Sequence, residues 1–133
     1  QARVIGVVIV AHGTLAQGYL KAIEHVVGQQ DGIHAISIDG DADRAAKQTE
    51  ICAAADQVDA GVGVLIVTDM FGASPSNLAL KACQPENRRI IYGANLPMLI
   101  KLVKCRHLSL TEATNAAVEA GRKYIDCHQV STS

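Results

Sequence analysis

Two hydrophobic rhythms alternate along this chain. The run Val4-Ile5-Gly6-Val7-Val8-Ile9-Val10-Ala11 is continuous and rich in β-branched residues, the pattern of a strand buried on both faces of a parallel sheet. From about Thr14 to Val27 the apolar positions Leu15, Tyr19, Ile23, Val26 and Val27 recur at helical spacing, and Gly28 followed by Gln29-Gln30-Asp31-Gly32 closes that helix. A short second strand, His34-Ala35-Ile36-Ser37-Ile38, alternates as an edge or half-exposed strand does. The acids of Asp39-Gly40-Asp41-Ala42-Asp43 suit the start of a helix over about 42–56.

The third strand, Gly63-Val64-Leu65-Ile66-Val67-Thr68, is apolar almost throughout and therefore central; it stops at Asp69. A helix carrying Leu78, Leu80 and Cys83 follows, ending near Pro85. Arg89-Ile90-Ile91-Tyr92-Gly93 reads as the fourth strand, and Ala94-Asn95-Leu96-Pro97 opens a helix to about Cys105. A long helix from Ser109 or Thr111 to Tyr124 presents a small-residue face of Ala113, Ala116, Ala117, Ala120 and Gly121. Residues 124–130 predict a last short strand.

Strands alternating with helices predict an α/β fold with a mostly parallel sheet and helices on both faces, as one domain over residues 1–133. With 49% hydrophobic and 19% charged residues, the chain is a folded protein rather than a disordered one. A formal net charge of −1 argues against a nucleic-acid partner, and three Tyr, one Phe and no Trp leave little for base stacking. Cys52, Cys83, Cys105 and Cys127 lie far apart without a CxxC pair, so they are expected as reduced core residues of a cytoplasmic protein. The nearby Cys105 and His107 have no second ligand pair, and neither metal nor cofactor is expected. No stretch is long enough to span a bilayer, no signal peptide is visible, and Gln1-Ala2 in place of Met points to a trimmed start.

The chemistry concentrates at two strand ends. His12 and Asp69 each terminate an apolar strand, and where the first and third strands are neighbours those ends border the crevice in which open α/β sheets bind ligands. A carboxylate on one imidazole nitrogen sets the tautomer, frees the other nitrogen to attack, and stabilises charge that develops on the ring. Gly13 and Thr14 after the first strand, and Gly72, Ala73, Ser74 and Ser76 after the third, supply close backbone approach, hydroxyls and helix-start N–H groups suited to a phosphate. Pro75 fits the first position of such a helix. Together these residues describe phosphoryl transfer through a histidine intermediate.

Each feature has an ordinary structural reading: a lone histidine after a strand, an aspartate capping a loop, a Ser-Pro as helix punctuation. Their joint placement at one sheet edge is what favours chemistry. His25 and His34 are expected at the surface, and Tyr92 and Tyr124 as packing residues with solvated hydroxyls.

Three segments in order, Val8-Ile9-Val10-Ala11-His12-Gly13, then Thr68-Asp69-Met70-Phe71-Gly72-Ala73-Ser74-Pro75-Ser76-Asn77, then Gly93-Ala94-Asn95-Leu96-Pro97-Met98-Leu99, resemble the mannose-family enzyme IIA component of the bacterial phosphotransferase system. The resemblance implies an open three-layer fold with strand order 2-1-3-4 and an antiparallel, swapped C-terminal strand in a homodimer. It implies that His12 takes a phosphoryl group from the phosphocarrier HPr and passes it to a IIB component, with Asp69 holding the ring. Ser74 and the helix start behind it would bind the phosphoryl oxygens. Phe71, Asn95, Leu96, Pro97 and Met98 would form the rim where partners dock, and contact with a membrane would come only through a transporter complex. Because no linker or B domain follows, a regulatory role stands beside sugar transport.

Three other classes compete. A receiver-like signalling domain would be phosphorylated on Asp69 itself, but it needs acids for magnesium after the first strand, where Ala11, His12 and Gly13 stand. The phosphotransfer subunit of a dihydroxyacetone kinase shares the fold and the histidine, but lacks the arrangement seen here as Gly72-Ala73-Ser74-Pro75. A flavodoxin-like binder would want aromatic residues this chain does not offer.

Overall fold

The computed structural model describes residues 3–40, 43–70 and 87–130. Four strands, β1 (Gly6–His12), β2 (Ile33–Ile38), β3 (Val64–Thr68) and β4 (Arg88–Ile91), form a parallel sheet in the order β2-β1-β3-β4. Four helices are described: α1 (Leu15–Val27), α2 (Arg44–Val58), α3 (Leu96–Lys104) and α4 (Leu110–Lys123). The expected helix with Leu78, Leu80 and Cys83 lies outside the described residues.

The period-2 geometry of a strand divides the core into two layers. Val7, Ile9, Ala11, Leu65, Val67 and Ile91 face α1, α3 and α4, packing on Ile23, Leu99, Leu102 and Ala117. Val8, Val10, Val64 and Ile66 face the other way, onto Ile51, Ala54 and Ala55 of α2. The continuous apolar runs of β1 and β3 are thus explained, since both of their faces are covered. β2 alternates because it is an edge.

Helix starts follow side-chain chemistry. Asp43 caps α2 by accepting from Ala45 N and Ala46 N, so the helix begins two residues later than the acids of that turn suggest. Asn95 caps α3, with Pro97 in its first turn. Ser109, rather than Thr111, caps α4: its Oγ accepts from Glu112 N at 3.2 Å and donates to the Glu112 carboxylate at 2.9 Å, an arrangement that stabilises a helix by about 1 kcal/mol.

The amino edge of the sheet is pinned by two buried arginines. Arg106 donates from Nε to Ile5 O at 2.7 Å, from Nη1 to Asp31 O at 2.8 Å and from Nη2 to Gly32 O at 3.3 Å. It thereby ties the segment between α3 and α4 to the start of β1 and to the α1–β2 turn. Burial pushes its guanidinium below the ordinary value, and the nearby Asp31 charge offsets part of that. Arg88 reaches Asp56 at 2.6 Å and Asp59 at 3.4 Å, joining β4 to the end of α2. Burial works against its charge, but the two carboxylates outweigh it and hold the guanidinium above its ordinary value. Gly6 permits the close approach of β1 to α2, for a Cβ there would run into the Val58 carbonyl.

Several expectations are corrected. The strand foreseen over 124–130 is not formed within this chain; residues 125–130 are exposed and carry no regular structure. A strand needs a ladder partner, and β1 to β4 pair with one another and not with the tail. Of the cysteines, Cys105 is buried, Cys52 half-buried and Cys127 exposed, all as free thiols. Tyr124 is 64% exposed rather than packed, with the Lys123 ammonium 5.6 Å from its ring centroid, and Tyr92 is also exposed. His25 is exposed as expected, whereas His34 is half-buried. Among the described residues no helix is long and apolar enough to cross a membrane.

Candidate active site

His12 is the last residue of β1, paired in register with Ile38, and Asp69 is the first residue beyond β3. Because β1 and β3 are adjacent and parallel, both side chains emerge at the carboxyl edge of the sheet, and they meet. His12 Nδ1 lies 2.9 Å from Asp69 Oδ2, and the His12 backbone N–H donates to the same oxygen at 3.1 Å. An ionised carboxylate only accepts, so the ring proton is assigned to Nδ1, which leaves Nε2 with a lone pair.

The two partners differ in exposure. The imidazole side chain is 49% exposed and the carboxylate 11%. The ring faces solvent, and the carboxylate lies behind it. Asp69 Oδ1 and Thr68 Oγ1 are both buried, with no hydrogen-bond partner among the described residues.

Behind the ring the chain turns sharply. Gly13 has φ +55°, a left-handed conformation that favours glycine, and its N–H donates to Ile38 O at 3.1 Å. Gly13 therefore serves the turn, and its amide is already engaged rather than free for a phosphate. Thr14 precedes α1, is exposed, and makes no capping bond from its side chain, so among the described residues the first N–H groups of α1 have no side-chain cap. The positive end of the helix dipole begins three residues beyond His12.

Of the rim residues foreseen, Leu96 and Pro97 line a groove of about 710 Å³ between α3 and α4, together with Ile100, Lys101 and Lys123. Met98 does not reach the surface: it is 2% exposed and packs in the core against α4. Asn95 is engaged structurally, accepting from Met98 N and donating to Gly121 O. Phe71, Gly72, Ala73, Ser74 and Ser76 lie outside the described residues. Cys105 is buried and His107 is exposed.

Tyr19 emerges where helical periodicity alone marked a packing residue. Its hydroxyl donates to Ala94 O at 3.1 Å, and burial, then the Asp69 charge, push its phenol above the ordinary value.

With this geometry established, similarity to known proteins becomes informative. The chain belongs to the family described as "EIIA-man: PTS system fructose IIA component", whose model matches residues 6–119. It is 31% identical over 122 residues to the PTS system mannose-specific EIIAB component of Escherichia coli K12, a match covering 90% of this chain and 38% of that protein. The chain thus spans well under half the length of this relative. It is also 29% identical over 119 residues to the putative phosphotransferase enzyme IIA component YadI of the same organism, covering 88% of this chain and 82% of that one. The fold matches that of the mannose/sorbose specific IIA subunit of Enterococcus faecalis with a TM-score of 0.85 at 19% identity, over 97% of this chain and 98% of the other. Family membership supports a phosphocarrier role in the phosphotransferase system.

Proposed function

We propose that His12 carries the phosphoryl group. Its Nε2 lone pair attacks the phosphorus of phosphorylated HPr, the donor's P–N bond breaks as the new one forms, and the released electron pair returns to the donor's nitrogen. The Nδ1 proton stays between ring and Asp69. The positive charge that the substituted ring acquires is balanced by a carboxylate already in place, which is electrostatic stabilisation without reorganisation. The same steps in reverse deliver the group to a IIB component or to a regulatory protein. The N-terminus of α1 favours the added negative charge, and a cradle for the phosphoryl oxygens is proposed at Gly72, Ala73, Ser74 and Ser76.

The observation that carries this reading is the division of exposure: the imidazole is half exposed and the carboxylate is largely buried behind it. A receiver-like role would require the opposite. We place the protein in the cytoplasm, as a homodimer in which the tail of each subunit lies along the open β4 edge of the other. Ile125 and Val130, 73% and 80% exposed, are the apolar residues such an arrangement would cover.

Incubation with enzyme I, HPr and phosphoenolpyruvate should place one acid-labile, alkali-stable phosphoryl group on the wild-type chain and none on His12→Ala. Labelling of His12→Ala at Asp69, or dependence of transfer from phosphorylated HPr on a divalent metal, would overturn the assignment.

A further inference from the structure

We propose that Tyr19 is a positioning residue for phosphoryl transfer: acting through Ala94, it holds the end of β3 so that the Asp69 carboxylate stays seated against the His12 ring. The inference rests on His12 being the phosphoryl acceptor.

Among the described residues, the Asp69 carboxylate has His12 as its hydrogen-bonding partner. Oδ2 takes both the backbone and the ring donor of His12, and Oδ1 is buried without a partner. A carboxylate held in this way by the nucleophile can orient it only if the backbone beneath the acid is fixed. The neighbouring Thr68 side chain gives no help, since its Oγ1 is also buried and unpartnered among those residues.

The backbone is fixed from outside the sheet. The β1–β3 register ends at Val10 and Thr68, and the β3–β4 register at Val67 and Ile91. Beyond those pairs, Ala94 N donates to Thr68 O at 3.1 Å, and Ala94 O in turn accepts the Tyr19 hydroxyl at 3.1 Å. Ala94 follows Gly93, whose φ of +75° turns the chain back over the strand end. Tyr19 belongs to α1, the helix that starts just after His12. A closed circuit results: His12 leads into α1, α1 to Tyr19, Tyr19 to Ala94, Ala94 to Thr68, and Thr68 to the acid that grips His12. Burial and the nearby carboxylate keep the phenol protonated, hence a donor, through neutral pH. Phenylalanine would fill the same space and break the circuit at one bond.

Tyr19→Phe in the full chain tests this. Loss of one hydrogen bond in the circuit should lower the rate of phosphoryl transfer from phosphorylated HPr about fivefold, in kcat with KM little changed. In the unphosphorylated protein, the 15N-resolved Nδ1–H signal of His12 should broaden and exchange faster with solvent. Ser37→Ala is the matched control: it removes the Ser37 Oγ to Gln17 Oε1 bond, another tie between α1 and the sheet that does not lead to Thr68, and both readouts should stay at wild-type values. A wild-type rate and an unaltered Nδ1–H signal in Tyr19→Phe would overturn the proposal, as would a change in KM alone. If the wild-type chain accepts no phosphoryl group, the acceptor reading fails, while the Nδ1–H comparison still decides whether Tyr19 holds the pair.

Discussion

At the amino edge of the sheet, Arg106 spends its guanidinium on three backbone carbonyls, 2.7 to 3.3 Å away. At the carboxyl edge, Asp69 leaves one buried oxygen without a donor among the described residues, and its partner ring stands half in solvent. Both edges bury charge, yet they use it differently. The arginine is surrounded by acceptors that satisfy it, so it adds rigidity. The aspartate is satisfied on one oxygen by the group it orients, so its free energy is tied to the state of the histidine. The fold concentrates its stability at one end of the strands and leaves the other end electrostatically responsive.

Substitutions at the two edges should separate these roles. His12→Ala should abolish phosphoryl labelling while lowering the urea unfolding free energy by only about 1 kcal/mol, the worth of the ring's hydrogen bond to Asp69, whose Oδ2 keeps the backbone N–H. A large stability loss would erase the distinction. Arg106→Met should do the reverse: about 3 kcal/mol lost on unfolding, from stranded carbonyls at Ile5 and Asp31, with labelling per folded molecule intact. Asp69→Asn keeps an acceptor for Nδ1–H but removes the charge, and should slow transfer roughly 10- to 100-fold; rapid-quench kinetics at an unchanged rate would strip the acid of its role.

The smallest effect is a matter of pH. The backbone N–H of Gly61 foremost, then Asn87 and Arg88, holds the Asp59 carboxyl below its ordinary value, against the opposing effect of burial. A depressed carboxyl contributes stability that is fully present above the unfolded value, about pH 4, and is lost as pH falls through the lower folded value. Asp59→Asn should therefore weaken the protein most at neutral pH, with the difference from wild type vanishing in acid. Urea titrations across pH 2–7 measure it, and a difference that grew toward acid would contradict the assignment.

Much of this architecture is readable from the chain. β1 and β3 stand out because residues covered on both faces must be apolar in succession, and His12 and Asp69 are conspicuous as the first polar side chains able to do acid–base work beyond them. Their pairing follows once the two strands are neighbours. Less legible is whatever depends on distant contacts. Arg106 lies 101 residues from Ile5, whose carbonyl it holds, and nothing in its local sequence marks it as buried. Tyr19 falls on the apolar stripe of α1, which conceals the use of its hydroxyl. Met98 was expected at the rim beside Leu96 and Pro97, but one helical turn carries those neighbours outward and Met98 inward. The tail over 125–130 has strand-like residues, yet it carries no regular structure within its own chain.

The double attachment of His12 to a single oxygen has a kinetic consequence. With the backbone N–H and the ring Nδ1 held by one oxygen, the side chain has few rotamers left to explore, so its conformational search is completed once, during folding. With His12 as the proposed phosphoryl acceptor, an arriving partner would have only its own orientation to find, and brief collisions would become productive at a frequency a freely rotating imidazole would not reach.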